Sequence, residues 1–321
     1  MNICVTGASG FVGRHLCRAL LDLGHNVRGL SRKAAGLISG VDSYAGDLSD
    51  PALELSSFLD GVDVVFHCAG EIKDTSKMFA LHVEGTSALL RQVRVEHLKN
   101  SKPIHWVQLS SVGAYGLTVV PANKPKLISP ESSELPEGVY EVTKTASDSL
   151  VRSFSLVEDF FTYSILRPTA IIGVDMPNES IFKLFEAIRR GLFFYIDGRK
   201  AIANYVHVDD VVHALVVCGF DQRARNKVSL IADDCSLEEL VNVVADFYGV
   251  TRPRLCLPYW LVRIAALCSV PGFPLTRNRV DVMVRRINYQ SSFSCQDDGV
   301  AGVGISEKIL LLLTERNSVK R

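Results

Sequence analysis

The sequence has no Cys-x-x-Cys pair, no dense cysteine spacing, no surplus of either charge and no uninterrupted apolar run of membrane-spanning length. Its eight cysteines, at positions 4, 17, 68, 218, 235, 256, 268 and 295, are too scattered to staple a small fold and read as buried thiols of a reducing cytoplasm. Thirty-five basic residues face thirty-five acidic ones, so no global field draws the chain to nucleic acid or anionic lipid, and recognition has to be local. A basic and apolar leader is missing before the first strand-like run, MNICVTG, which predicts a cytoplasmic protein. The most membrane-like stretch, PYWLVRIAALCSVPGF from Pro258, is interrupted by Arg263 and closed by Pro271. It is too short to span a bilayer, and a packed C-terminal helix is expected there rather than an interfacial anchor, without stable membrane insertion.

What is present suits one large unit with a smaller appended lobe: 321 residues, 47% of them hydrophobic. Short Val- and Ile-rich runs (ICVTG, NVRGLS, DVVFHCAG, HWVQLSS, TYSILRP, NYVHV) alternate with amphipathic stretches such as GRHLCRALLDLG, which closes at Gly24. That alternation predicts an α/β fold, a doubly wound parallel sheet with helices on both faces, and a smaller, mostly helical C-terminal lobe. The main unit is expected to span residues 1–172, with 203–232 returning to it. Residues 173–202 and 233–321 form the second lobe, where NESIFKLFEAIRRG, CSLEELVNVVADFYG and GISEKILLLLTER read as helices and the terminal NSVKR as disordered. A Pro-rich loop, residues 119–138, precedes Tyr140, where it is placed to shape a substrate mouth.

Gly7, Gly10 and Gly13 follow the first strand and open the first helix at Gly-x-x-Gly-x-x-Gly spacing. Glycine there permits a tight turn and lets backbone N–H groups, including those of Phe11 and Val12, approach a pyrophosphate, so the loop predicts a dinucleotide site. An acidic residue usually follows at the end of the second strand to hold a ribose 2′-OH in NAD. None occurs between Leu23 and Val41, whereas Arg28, Arg32 and Lys33 cluster there. A guanidinium at Arg32 suits the 2′-phosphate of NADP, with NAD as the alternative cofactor and a merely solvated basic face as the competing explanation. Asp47, followed by Leu48, stands where a third strand reaches the adenine, and equally where an Asp caps a turn.

Tyr140 and Lys144, four apart in YEVTK, project from one face of a helix, so that the ammonium is expected to lower the phenol toward a range useful for proton exchange. Ser110 and Ser111 end a strand at the carboxyl edge of the same sheet, where open α/β folds bind ligands. With VTGASGFVG, GDLSD, DVVFHCAG, HVEGT, LSSVGAYG, YEVTK, LRPTAIIG and YVHVDDVV in order, most of the chain resembles the extended short-chain dehydrogenases, the NAD(P)-dependent epimerase/dehydratase group. The resemblance implies a Rossmann domain and a substrate-binding lobe. It implies that Ser111, Tyr140 and Lys144 are catalytic, and that Tyr140 and Lys144 also border the cofactor. Cys68, Ala69 and Gly70 would lie along the cofactor, Arg167 and Pro168 close over the nicotinamide, and Ser111, Tyr140 and Asn178 touch substrate. It further implies a homodimer face on the helices after Met78 and Tyr140.

Two residues depart from the pattern. His82 replaces the usual Asn of HVEGT, so an imidazole is expected to remake the contact that supports the lysine. Ala203 replaces an Arg that sugar-nucleotide enzymes direct at the diphosphate, leaving Arg199, Lys200, Arg277 or Arg279 to supply the charge. The cluster HVDDVVH (His207, Asp209, Asp210, His213) reads as a strand end and an Asp-capped helix rather than a metal site. The activity these features imply is NADP-dependent reduction of a keto group on a nucleotide-linked sugar, with no metal. Alternatives are a nucleotide-sugar 4-epimerase, a hydroxysteroid- or flavonoid-like alcohol dehydrogenase, and a cofactor-binding regulator without catalysis.

Overall fold

The computed structural model describes residues 1–33, 37–116, 125–267, 277–293 and 304–319, apart from the side chains of 277–279 and 319. Residues 119–124 of the 119–138 loop, Cys268, Cys295 and the side chains of Arg277 and Arg279 lie outside the described residues. The strands of the main unit are β1 (Asn2–Thr6), β2 (Asn26–Ser31), β3 (Asp42–Ala45), β4 (Val64–His67) and β5 (Ile104–Leu109), with two further strands at Phe161–Pro168 and Lys227–Ile231; β-branched residues supply much of β1 and β4, whereas β3 has none. All seven pair in parallel in the order Lys227–Ile231, Phe161–Pro168, β5, β4, β1, β2, β3. Strand order reverses at β1, which is flanked by β2 and β4, so a crevice opens beyond the carboxyl ends of β1 and β4.

Helices α1 (Phe11–Asp22), α2 (Ser56–Leu59), α3 (Thr75–Phe79), α4 (Gly85–Asn100) and α5 (Val139–Ser155) serve this sheet together with Val208–Phe220. The expected stop at Gly24 is present: φ is +77° there, and its N–H donates to the Leu21 carbonyl at 2.8 Å. On one face of the sheet Phe58, Leu89, Val93, Trp106, Val151 and Phe161 form a continuous buried layer. Full burial of each such side chain is worth roughly 1.5–3 kcal/mol. α1 packs against Val208–Phe220 on the other face. The link from β2 to β3 carries no helix among its described residues, so that crossover is shorter than alternation predicts.

The chain divides into two compact units, one of Met1–Leu117, Pro130–Pro168 and Val208–Ile231, the other of Thr118–Ser129, Thr169–His207 and Ala232–Arg321. Strand Lys227–Ile231 joins the main sheet, but the strand at Ile202–His207 does not return to it. It pairs in parallel with Ala170–Ile172 and antiparallel with Asp233–Ser236, and Asn204 Nδ2 fixes it by donating to Asp234 Oδ1 and the Ile287 carbonyl, both at 2.8 Å. An apolar alternation suits any sheet equally; pairing partners decide which one a strand enters.

Two more strand pairs, Tyr195–Ile196 with Cys256–Leu257 and Lys126–Ile128 with Ile287–Tyr289, make the second unit less helical than its sequence pattern suggests. Its helices are Ser180–Arg189, Leu237–Phe247 (capped by Ser236 Oγ at 3.0 Å from the Glu239 N–H), Tyr259–Leu267, Arg277–Val282 and Ile305–Val319. The last runs into the NSVKR segment, through Asn317 and Ser318, rather than ending before it. Helix Tyr259–Leu267 is not packed on all sides as expected, since Val262 alone among its residues is buried.

Candidate active site

The glycine loop is a backbone cradle. Gly7 has φ +67°, and a Cβ there would stand 2.8 Å from the Ala69 amide nitrogen; a Cβ on Gly13 would stand 2.1 Å from the Gly7 carbonyl oxygen. Side chains at either position would drive the β1–α1 turn away from β4. The first N–H groups of α1, which begins at Phe11 and Val12, receive no side-chain cap from Gly10, as suits a helix start left to meet an anion. Their side chains do not line the cleft: Phe11 packs edge-on to His15, and Val12 is buried.

The cleft over this turn is lined by Gly7, Gly10, Arg32, Asp47, Leu48, Cys68, Ala69 and Gly70, while Phe11, Val12 and Gly13 are not among its lining residues. Ser9, Ser31, Ser49, Glu71 and Lys77 also line it. Lys77 in particular carries no motif, because α3 brings it in from a separate crossover. Asp47 Oδ1 accepts from both the N–H (3.0 Å) and the hydroxyl (2.6 Å) of Ser49, which holds its carboxyl below the ordinary carboxylate range, with help from the Arg32 and Lys77 charges. Thus Asp47 caps a turn and lines the cleft at once. Arg32 is exposed at the rim, but Arg28 is not part of the cluster, because its guanidinium donates to the carbonyls of Phe58 and Asp60 in the last turn and C-cap of α2. The glycine cradle, the free N–H groups and the mixed polar rim fit a dinucleotide.

Beneath the cleft runs a hydrogen-bond chain with one consistent set of proton positions. The Ala69 N–H donates to Thr6 Oγ1 (3.2 Å), whose hydroxyl meets His67 Nδ1 (2.7 Å); His67 Nε2 then donates to Thr86 Oγ1 (3.0 Å), which donates to the His82 carbonyl (2.6 Å). A branch from Trp106 through Gln108 and Ser147 reaches the same Thr86 oxygen. Burial, with the nearby Lys144 charge, keeps the His67 imidazole well below its ordinary pKa, so it stays neutral as this chain requires.

His82 sits in a single π-helical turn, Ala80–Glu84, joining α3 to α4. Its Nε2 accepts the Glu71 N–H at 2.9 Å, which leaves the proton on Nδ1 to donate to Thr143 Oγ1 at 2.8 Å. Burial and Lys144 lower its pKa to about 3. The imidazole therefore ties the cofactor-side loop at Glu71 to α5, edge-on to the Tyr140 ring at 5.7 Å. The imidazole does not remake a contact with the lysine as the His-for-Asn departure suggests: its partners are a loop amide and Thr143, while Lys144 is held by the Leu109 carbonyl.

Ser111 caps the short 3-10 turn Val112–Tyr115, accepting the Gly113 N–H at 3.1 Å. A Cβ on Gly113 would stand 2.6 Å from Glu141 Cγ and 3.4 Å from Ser111 Oγ, so this turn lies against the first turn of α5, where Tyr140 stands. Lys144 is buried and donates to the Leu109 carbonyl at 2.5 Å. Its ammonium does not lower the phenol as expected from the spacing. Burial, then the Glu141 and Asp148 carboxylates, push Tyr140 up to about 12, while burial lowers Lys144. The lysine charge is directed at a backbone oxygen instead.

Arg167 is also placed differently from expectation. It is fully buried, donates through Nε (3.2 Å) and Nη2 (2.9 Å) to Asp148 Oδ2 and through Nη2 to Glu134 (2.7 Å), and stacks on Tyr115. Ser110 donates to the same Asp148 oxygen at 2.6 Å. This guanidinium holds the sheet edge to α5 and leaves only the neighbouring Pro168, at the strand end, for any contact with a ligand.

In the second unit, Asn178 is exposed and its Oδ1 accepts the Ser180 N–H at 3.0 Å. Ala203 is buried opposite Cys235, and Arg199 is paired with Glu238 at 2.7 Å rather than free to replace the missing guanidinium. Among the described residues no group of three or more His, Cys, Asp or Glu side chains is arranged to hold a metal, and no helix is long and apolar enough to cross a membrane. His207 ends a strand, and Asp209 and Asp210 open the helix Val208–Phe220.

Comparison with known proteins bears on the family and the fold. The chain is 27% identical over 311 residues to sterol demethylase protein B of Methylococcus capsulatus, covering 91% of this chain and 87% of that protein. It is likewise 27% identical over 278 residues to the 4-hydroxy-2-methyl-3-oxo-4-farnesyl-3,4-dihydroquinoline-1-oxide ketoreductase of Stigmatella aurantiaca, covering 83% and 79%. Among solved structures, MoeE5 in complex with UDP-glucose and NAD superposes with a TM-score of 0.71 at 22% identity over 99% of this chain and 100% of that one, which shows the shared fold. Residues 3–227 match the NAD dependent epimerase/dehydratase family, and the chain belongs to that family of NAD(P)-dependent short-chain dehydrogenase-type enzymes.

Proposed function

We propose that the protein is an NADP-dependent oxidoreductase that reduces a ketone to a secondary alcohol on an apolar, ring-bearing substrate, with Tyr140 as proton donor. The observation that carries the chemistry is geometric. Tyr140 stands in the first turn of α5, against the turn that presents Ser111, and its phenol is protonated at neutral pH as an ordinary tyrosine is. A protonated phenol donates to a carbonyl oxygen as it becomes an alkoxide. The bound nicotinamide supplies the hydride. Ser111 Oγ hydrogen-bonds the same oxygen and orients the carbonyl. Lys144 contributes positive charge at the floor of the site, where its bond to the Leu109 carbonyl fixes the ammonium.

The assignment of an apolar substrate draws on the absence of an arginine at position 203, where the sequence has Ala, and on relatives whose names refer to sterols, hydroxysteroids and a farnesylated quinoline. A nucleotide-linked keto sugar, reduced or epimerised, is the second reading. It draws on Asn178, whose carboxamide is exposed at the start of helix Ser180–Arg189. NADP is favoured over NAD by the absence of a carboxylate at the end of β2 and by Arg32 at the cleft rim. The test is NADPH consumption by purified protein with cyclic apolar ketones and, separately, with UDP- and dTDP-linked keto sugars. Turnover of the sugar nucleotides alone overturns the substrate assignment. Tyr140→Phe is expected to abolish turnover and to spare NADPH binding; full activity in that variant overturns the proton-donor role.

A further inference from the structure

Helix Tyr259–Leu267 has two unlike faces. Tyr259, Val262 and Ala266 turn inward onto Ile196, Val280 and Val284. Trp260, Ile264 and Leu267, at i, i+4 and i+7, form one outward stripe that is 63%, 50% and 42% exposed, with Leu261 beside it. Both faces are apolar, so burial of the inner face does not explain the outer one.

The sequence segment that carries this stripe is as one-sided in charge as the whole chain is balanced. Residues 251–290 contain seven arginines against the single acid Asp281, and Arg263 lies on the helix itself. Arg252 is offset by Asp246 and Arg263 donates to the Tyr259 hydroxyl, while Arg254 is exposed just ahead of the Cys256–Leu257 strand that leads into the helix. An outward Trp–Ile–Leu stripe bordered by arginine is complementary to a surface that is apolar inside and anionic outside.

We propose that this face docks the protein reversibly on an anionic lipid bilayer, with the helix lying in the interface plane and Trp260 at headgroup depth. Spanning is not involved. The inference does not depend on which ketone the enzyme reduces.

The chain has two tryptophans, and Trp106 is fully buried in the sheet core, so a change in emission on docking reports Trp260. Full-length protein is mixed with phosphatidylglycerol/phosphatidylcholine vesicles or pure phosphatidylcholine vesicles, and emission and co-sedimentation are followed as salt is raised. The expected result is a blue shift and sedimentation with anionic vesicles only, weakened by salt. Affinity should fall roughly tenfold or more in Trp260→Ser/Ile264→Ser, read by sedimentation, and in Arg254→Glu. Circular dichroism and NADPH binding matching the parent exclude misfolding. Absence of vesicle binding, or equal binding by these variants, overturns the proposal. So does a lipid-independent dimer that the same substitutions dissociate, because a second copy would then cover the face.

Discussion

Asp148→Asn tests the buried ion network and its link to the site in one substitution. Asp148 and Arg167 are both fully buried, and one carboxylate oxygen, Oδ2, receives Ser110 and two guanidinium nitrogens. Asp148 Oδ1 and Arg167 Nη1 have no hydrogen-bond partner among the described residues, so the pair has little redundancy. Removing one partner of a buried pair costs about 3–5 kcal/mol. Here Glu134 and the Tyr115 ring retain part of the compensation for Arg167, and the asparagine oxygen can still accept a weaker neutral bond. The expected loss is therefore about 2–4 kcal/mol, a fall of roughly 3–6 °C in Tm for a chain of 321 residues.

The same carboxylate raises Tyr140 and favours the charged form of Lys144, so its neutralisation should lower the apparent pKa of both groups. Guanidinium unfolding followed by Trp106 emission measures the first effect, since that indole is anchored to Gln108 inside the same unit. The pH dependence of kcat measures the second, with its alkaline limb moving to lower pH. A stability loss below about 1 kcal/mol together with an unchanged pH profile would mean that Glu134 alone compensates Arg167 and that Asp148 is electrically silent at the site.

Gly13→Ala should remove measurable NADPH binding, because the added methyl overlaps the Gly7 carbonyl; calorimetric affinity within threefold of the parent would refute the cradle. Arg32→Ala should weaken NADPH by about 1.5–3 kcal/mol, as loss of a charge-assisted bond requires, and leave NADH nearly unchanged; equal losses for the two would remove its role in cofactor choice. His82 has its folded pKa depressed to about 3 from an ordinary 6.5. The unfolded chain therefore binds more protons between those values, and the stability that neutral His82 contributes is complete above pH 6.5 and is lost as pH falls toward 3. His82→Asn should flatten that acid limb of the unfolding midpoint, and a parent-like pH dependence in the variant would assign the limb to His67 or to the carboxylates.

The parts of this fold that depend on neighbours in the chain could be read directly from it. The glycine spacing, the YEVTK face and the β-branched runs are local signals, and each falls where its pattern places it. Arg167, Glu134 and Asp148 could not be read that way, because three segments separated along the chain supply one ion network and no spacing announces it. Lys77 reached the cleft through a crossover whose direction only tertiary packing decides. NYVHV illustrates the same limit for backbone: its alternation specifies a strand, while the Asn204 bonds and the partner at Asp233–Ser236 specify which sheet it enters. His82 was conspicuous as a departure, yet the two groups that it joins lie 11 and 61 residues away.

The π-helical turn at Ala80–Glu84 has a consequence for the phase of everything that follows it. One residue in an α-helix corresponds to a rotation of roughly 100°, so a local insertion of this kind turns α4 about its own axis relative to α3 without interrupting either. The inward row of α4, Thr86, Leu89, Leu90 and Val93, meets the sheet only in the shifted phase. Deleting a single residue between 80 and 84 would regularise the coil and at the same time swing Thr86 away from His67, uncoupling the polar chain from the layer that holds it. Irregularity here sets the angular register between two otherwise ordinary helices.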